Sequence, residues 1–203
     1  MGTGACPYLA GGGCVLSFGP VTGVRTPERP APKEDGLSEI VPRGDAHADR
    51  LGGTVPPRLA EAIDALDMSE DRSARVQMLI DIARRFREVP PSIATRPFDR
   101  ANRVKDCESD AYVWASPRPD GTLDYHFAVE NPQGVSARAL AVLLGDALNG
   151  RPVDEATALS DDVVYEIFGR ELSMGKAMGL MGIAARVRHL AQHAPAPVGS
   201  GAR

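Results

Sequence analysis

Residues 102–116, NRVKDCESDAYVWAS, place a single thiol, Cys107, between Asp106 and Glu108 and directly ahead of a run of strand-forming residues. A thiol in a loop between strands can pack, hold a metal, register oxidation or attack as a nucleophile. Charges of both signs flank it, Asp106, Glu108 and Asp110 against Arg103 and Lys105, so the sequence neighbours alone do not choose among these roles. Metal binding is disfavoured, because zinc takes four ligands at defined spacing and only His126, His189 and His193 are left to join Cys107 in the folded part. Cys6 and Cys14 have no nearby Cys or His partner. In TLDYHFAVE the alternation puts His126 on the polar face beside Asp124, which favours a solvated or cross-strand-paired histidine over a ligand or a base. From the residues alone, a packed thiol and a reactive thiol remain evenly open for Cys107.

Composition narrows the class. The 203 residues suit one ordinary domain with a tail, and the net charge of −4 carries no clustered basic footprint, so nucleic acid is not expected as a partner. No apolar run reaches the eighteen or so residues of a membrane span; the longest, AVLLGDAL, is interrupted by Gly145 and Asp146. Three cysteines without regular spacing argue against a disulfide framework and for a reducing compartment. LAGGGC near the start imitates a lipoprotein cleavage site, yet no Lys or Arg precedes Arg25 and glycines break the apolar stretch, so no export signal is read. Gly2 is followed by Cys6 where a myristoylation motif has Ser or Thr. The expected location is cytoplasmic.

The elements that must position Cys107 begin near residue 57. Eleven of the 21 glycines and eight of the 17 prolines lie in the first 57 residues, without sustained periodicity. Residues 1–53 are therefore expected to be a disordered extension, 54–193 the folded domain and 194–203 a disordered tail. PPRLAEAIDALD predicts a helix with Leu59, Ile63 and Leu66 inward, and a second is predicted over about 71–88, with Val76, Leu79, Ile80, Ala83 and Phe86 as its stripe. A short strand is predicted at 102–105, then a hairpin of DAYVWAS and TLDYHFAVE around the turn PRPDGT. Three helices follow: VSARALAVLLGDAL, stopped at Asn149-Gly150; SDDVVYEIF, capped by Ser160; and a long final one from SMGKAMGL, capped by Ser173. Clustered strands with flanking helices predict an α+β fold in two layers, a three-stranded antiparallel sheet packed against helices.

VKDCESDAYVW resembles the active-site segment of the SufE family of sulfur-acceptor proteins. In that pattern a valine, any residue, a variable position that is often glycine, the acceptor cysteine, any residue and a serine precede an aromatic strand. Val104, Cys107, Ser109 and Tyr112 stand in those places. The likeness extends upstream through MLIDIARRFREVPP and downstream through SARAL and LSMGKAMGL, over about residues 57–192. Two positions depart from it. Asp106 replaces the frequent glycine, and Lys176 replaces the usual arginine, keeping the charge without the planar fork.

The resemblance implies that Cys107 is a persulfide acceptor. Sulfur would come from a separate, pyridoxal-phosphate-dependent cysteine desulfurase, which the chain would stimulate, and would go to an iron–sulfur scaffold complex. Asp106, Glu108, Ser109 and Lys176 would then support the loop or the docking of partners. No cofactor is expected in this chain, whose only lysines are Lys33, Lys105 and Lys176, and pyridoxal phosphate would belong to the partner. A monomer or weak dimer is expected. The rival readings are an adaptor that activates a desulfurase without accepting sulfur, a thiol redox sensor, and a cluster scaffold, the last needing three or four ligands where the domain has one cysteine.

Overall fold

The computed structural model describes residues 55–69, 71–105 and 107–194. The expectations of disorder for residues 1–53 and for all but the first residue of 194–203 lie outside these.

Helix α1 (Pro57–Asp67) starts on a proline at its first position and turns Leu59, Ile63 and Leu66 inward, the faces its periodicity predicts. Helix α2 (Arg72–Arg84) is capped by Asp71, whose side chain accepts a hydrogen bond from the Ser73 amide. It is shorter than the predicted 71–88. Pro90 biases Val89 toward extended backbone, and the Val89 amide donates instead to Phe127 O at 2.8 Å. Its buried stripe is also rotated: Leu79 and Ala83 are in the core with Met78, Ile82 and Phe86 packed against it, whereas Val76 is 49 % exposed.

The sheet has two strands, β1 (Ala111–Pro117) and β2 (Leu123–Val129), paired antiparallel with Val113 opposite Phe127 and Trp114 opposite His126. The third strand predicted at 102–105 is reduced to a single antiparallel bridge between Arg103 and Tyr112. A 3-10 turn at Arg100–Asn102, capped by Asp99, precedes the bridge, and the chain turns again at Lys105, which leaves too few extended residues for a ladder. The architecture is α+β with a ribbon of two strands.

Helix α3 (Val135–Leu148) lies on the inner face of the ribbon and buries eight residues, among them Leu140 and Leu144. It stops where predicted. The Asn149 side chain accepts from the Tyr125 amide at 2.7 Å, and Gly150 takes φ +65, a conformation that costs glycine little. The turn of helix α4 (Val153–Thr157) has no counterpart in the sequence reading; five residues are too few to show a period. Helix α5 (Val163–Phe168) is entered through Asp162, and the Ser160 hydroxyl accepts from the Asp162 amide at 3.2 Å within the preceding turn, not as a cap. Helix α6 (Met174–Gln192) begins after Ser173 as predicted, although the Ser173 side chain makes no capping bond, and it packs on β1.

The outer face of the ribbon is covered by a small cluster of Val89, Phe98, Tyr112 and Ala128, with Trp114 at its margin. His126 stands on that face opposite Trp114; burial holds its pKa below the ordinary imidazole value, with Asp124 opposing weakly, while the Asp124 carboxylate pairs with Arg118 at 2.8 Å.

The rotated face of α2 gives a direct test by thermal or urea unfolding. Leu79→Ala is expected to cost about 2–3 kcal/mol, and Val76→Ala to stay within about 0.5 kcal/mol.

Candidate functional site

Residues 105–110 join the bridge at Arg103 to β1, and among the described residues of this loop Cys107 is the one that is buried, 6 % exposed and part of the main core cluster. The loop closes on itself through a hydrogen bond from the Asp110 amide to Cys107 O at 3.1 Å. Asp110 takes φ +47, unusual outside glycine but tolerated by aspartate, and its carboxylate is gripped by Arg103, whose Nε donates at 3.1 Å. That hydrogen bond, together with the charge of Asp110, raises the already high pKa of Arg103.

A loop that leaves the sheet must satisfy its backbone elsewhere. Asn131 does this. Its amide donates to Ser109 O and its side-chain Nδ2 to Glu108 O, both at 3.2 Å, while the neighbouring Glu130 amide donates to Asp110 O at 3.2 Å. The Asn131 side-chain oxygen in turn accepts from the Gln133 amide at 2.9 Å, which fixes the turn into α3.

Glycines set how closely the loop can lie against the helices. A Cβ on Gly134 would fall 2.7 Å from Val129 Cγ1 and 3.1 Å from the Ser109 Cβ. One on Gly182 would fall 2.8 Å from Val104 Cγ1, and one on Gly175 would fall 2.9 Å from a carboxylate oxygen of Glu108. The loop therefore lies against the first half of α6 and the start of α3.

Between these elements is a cavity of about 460 Å³, lined by Cys107, Glu108 and Ser109 from the loop, Asn131 and Gly134 from the turn, and Lys176 and Gly179 from α6 among others. Of the residues singled out in the sequence, Cys107, Glu108, Ser109 and Lys176 thus meet at one place. Cys107 is buried, Ser109 half-buried, and Glu108 and Lys176 line the open side. Asp106 lies outside the described residues.

Tyr112 leaves this group. It points to the outer face, where its hydroxyl donates to Glu130 at 3.3 Å and its ring stacks on Trp114 with centroids 6.0 Å apart. Burial, with the nearby Glu130 carboxylate, raises its pKa. Asn131, Gly134 and the Arg103–Asp110 pair were not found by sequence reasoning; the NPQG stretch was the available signal, as a turn of Asn, Pro and Gly just ahead of a helix.

Residues 60–191 match the family described as SufE: Fe-S metabolism associated domain. The chain belongs to the SufE family. Membership gives it a part in iron–sulfur metabolism and implies interaction with a cysteine desulfurase. Among solved structures, the solution structure of a hypothetical protein from Thermus thermophilus is similar to this chain, with a TM-score of 0.55 and 22% sequence identity. The match covers 68% of this chain and 96% of that one, and supports the shared fold. Comparison with the curated proteins finds no match. Among the described residues of this SufE-family chain, no helix is long and apolar enough to cross a membrane, and no group of three or more His, Cys, Asp or Glu is placed to hold a metal.

The packing at Gly134 makes loop closure testable. Gly134→Ala must push Val129 or Ser109 aside, so it is expected to lower stability by about 1–3 kcal/mol. It should also raise the rate at which a water-soluble maleimide labels Cys107 under native conditions. An unchanged labelling rate would disconnect Gly134 from the loop.

Proposed function

We propose that the chain is a sulfur carrier in which Cys107 accepts the terminal sulfur of a persulfide from a pyridoxal-phosphate-dependent cysteine desulfurase, stimulates that enzyme, and passes the sulfur to an iron–sulfur scaffold complex. The observation that carries the reading is the meeting of Cys107, Glu108, Ser109 and Lys176 at one cavity, with Cys107 as the sole cysteine of the family-matched segment.

The chemistry is thiol–persulfide exchange. Cys107, as thiolate, attacks the outer sulfur of the desulfurase persulfide. The bond between that sulfur and the desulfurase cysteine breaks, a bond to Cys107 Sγ forms, and the desulfurase cysteine leaves as thiolate. One disulfide-type bond replaces another, so no external oxidant or reductant takes part. With no second cysteine in the matched segment, the loaded Cys107 has no thiol of that segment to discharge it and passes its sulfur to another protein.

Each surrounding residue has a part in this reading. Burial shields the loaded sulfur from water and stray thiols, since exchange needs access as well as a thiolate. Lys176 supplies positive charge on the cavity wall. Ser109 and Glu108 hold the loop through their backbone carbonyls, and Asp106, which precedes Cys107 in the sequence, serves loop geometry or docking. The pyridoxal phosphate belongs to the desulfurase. We place the protein in the cytoplasm, as a monomer or weak dimer, with 54–193 as the working domain between disordered ends.

Two rivals fit less well. A peroxide-sensing thiol is accessible and commonly has a resolving cysteine nearby, whereas Cys107 is 6 % exposed and has none in the matched segment. A cluster scaffold needs several ligands around the metal, and the described residues offer no such group.

Intact mass after incubation with cysteine and a desulfurase from the same source is expected to gain one or more sulfur atoms that dithiothreitol removes, with no gain in Cys107→Ser. No gain together with raised desulfurase turnover would replace the relay by the adaptor reading. On the same assay, Lys176→Glu is expected to slow loading by about tenfold, equivalent to ~1.4 kcal/mol, while Lys176→Arg stays within about threefold of the parent.

A further inference from the structure

Next to the Cys107 loop is a second and larger concavity, a groove of about 990 Å³. Its floor is one face of α6, formed by Met178, Gly182, Ala185, Arg186 and His189. Eleven residues of helix separate Met178 from His189, which makes the floor about 16 Å long. Arg100, Arg103 and Lys105 form one wall, and Asp110, Tyr112 and Glu130 also line it.

The groove is positive. Four guanidinium or ammonium groups face it against two carboxylates, in a chain whose net charge is −4. Both carboxylates are engaged: Asp110 by Arg103, and Glu130 by the Tyr112 hydroxyl at 3.3 Å and by Arg96 at 4.0 Å. Arg186 donates to Ala101 O at 2.9 Å, and its buried Nε meets no acceptor among the described residues. Arg100 and Lys105 are exposed and have no acidic partner among the described residues. On the floor, Met178 is 52 % exposed, an apolar side chain without cover. Lys105 and Asp110, which flank the Cys107 loop, are among the residues that line the groove.

We infer that this groove docks an acidic segment of the cysteine desulfurase, about five extended residues long, with carboxylates toward Arg100 and Lys105 and an apolar side chain on Met178. The inference rests on the desulfurase partnership proposed above and names the surface that secures it. Five extended residues span about 16 Å, the length of the floor. A small anion would use a fraction of the volume. A nucleic acid would need a row of phosphate contacts, and two cations without an acidic partner among the described residues do not supply one. A segment seated here brings the rest of the desulfurase beside the thiol loop, whose flanking residues Lys105 and Asp110 line the groove.

Binding is measured between the full chain carrying Cys107→Ser, so that no sulfur moves, and the pyridoxal-phosphate-loaded desulfurase of the same source, at about 50 mM and about 300 mM salt. Adding Arg100→Glu with Lys105→Glu is expected to weaken binding by about tenfold or more at the lower salt, chiefly through the association rate, and by less at the higher salt. Arg58→Glu with Arg87→Glu makes the same change in net charge away from the groove, and is expected to stay within about twofold. Matching melting curves for the two double variants secure the comparison. Equal affinity for both, equal weakening of both, or no binding by the chain with an intact groove overturns the inference. Binding lost on groove reversal while unaltered Cys107 never takes up sulfur would keep the docking surface and remove the relay. Sulfur uptake with undiminished affinity in the groove variant would do the reverse.

Discussion

A two-stranded ribbon is marginal in water, because it pairs too little backbone and has two faces to cover. Here the inner face, with Val113, Tyr125 and Phe127, is covered by α3 and α6, and the outer face, with Tyr112 and Ala128, by Val89 and Phe98. That need explains the long passage without regular structure between α2 and β1. The chain hydrogen-bonds to one edge of the ribbon through Val89 and to the other through Val104, whose amide donates to Ala111 O at 2.8 Å. Cys107 sits where the second of these edges turns back into β1. Its position is a consequence of wrapping a narrow ribbon: the turn is anchored at both ends by backbone bonds and closed beneath by a helix.

The cavity at the thiol is made by side chains that are missing. Gly134, Gly175 and Gly182 let the loop approach the helices to distances at which a methyl group would collide with Ser109, Glu108 or Val104. Glycine costs about 1 kcal/mol relative to alanine inside a helix, and α6 carries three in its first three turns, Gly175, Gly179 and Gly182. The hydrophobic contacts of the same helix through Leu180, Ile183, Ala184 and Val187 offset that loss, since burial of such side chains outweighs a propensity deficit of this size. The same spacing serves two surfaces of α6: Gly175 and Gly179 line the thiol cavity, and Gly182 with Met178 lines the groove.

The hairpin, its turn, the stop at Asn149-Gly150 and the inward face of α1 were legible because each rests on local rules: alternation, turn chemistry and a 3.6-residue period. The face of α2 was misjudged at Val76. Val76, Leu79, Ile80 and Ala83 form as good a stripe as the one observed, and what decides between them is the position of α3, which is tertiary. The third strand failed for a similar reason: the chain is extended at 103–104, but a strand needs a run of pairings and the turns on either side leave one. At the site, Cys107, Glu108, Ser109 and Lys176 were nameable from the residues and their resemblance to a family. Asn131 was not, because its role depends on its amide, its side chain and the free carbonyls of the loop meeting in space, and an Asn before a Pro reads only as a turn.

For the proposed relay, the closed loop sets an energetic condition on transfer. Exchange at sulfur needs the attacking thiolate in line with the bond it breaks, and a thiol at 6 % exposure cannot present itself to another protein's persulfide without leaving its place. Opening the loop gives up the two bonds from Asn131 to Ser109 and Glu108, at about 1 kcal/mol each, and the burial of the thiol, at about another 1 kcal/mol. The open form would then be populated at below about 1 % in the free protein. A small oxidant or free thiol meets only that minor population. A partner that binds the open form supplies the difference from its own contacts, so Cys107 becomes reactive chiefly where such a partner is bound. Selectivity in such a relay comes from the cost of opening the loop, and the docking surface is what meets that cost.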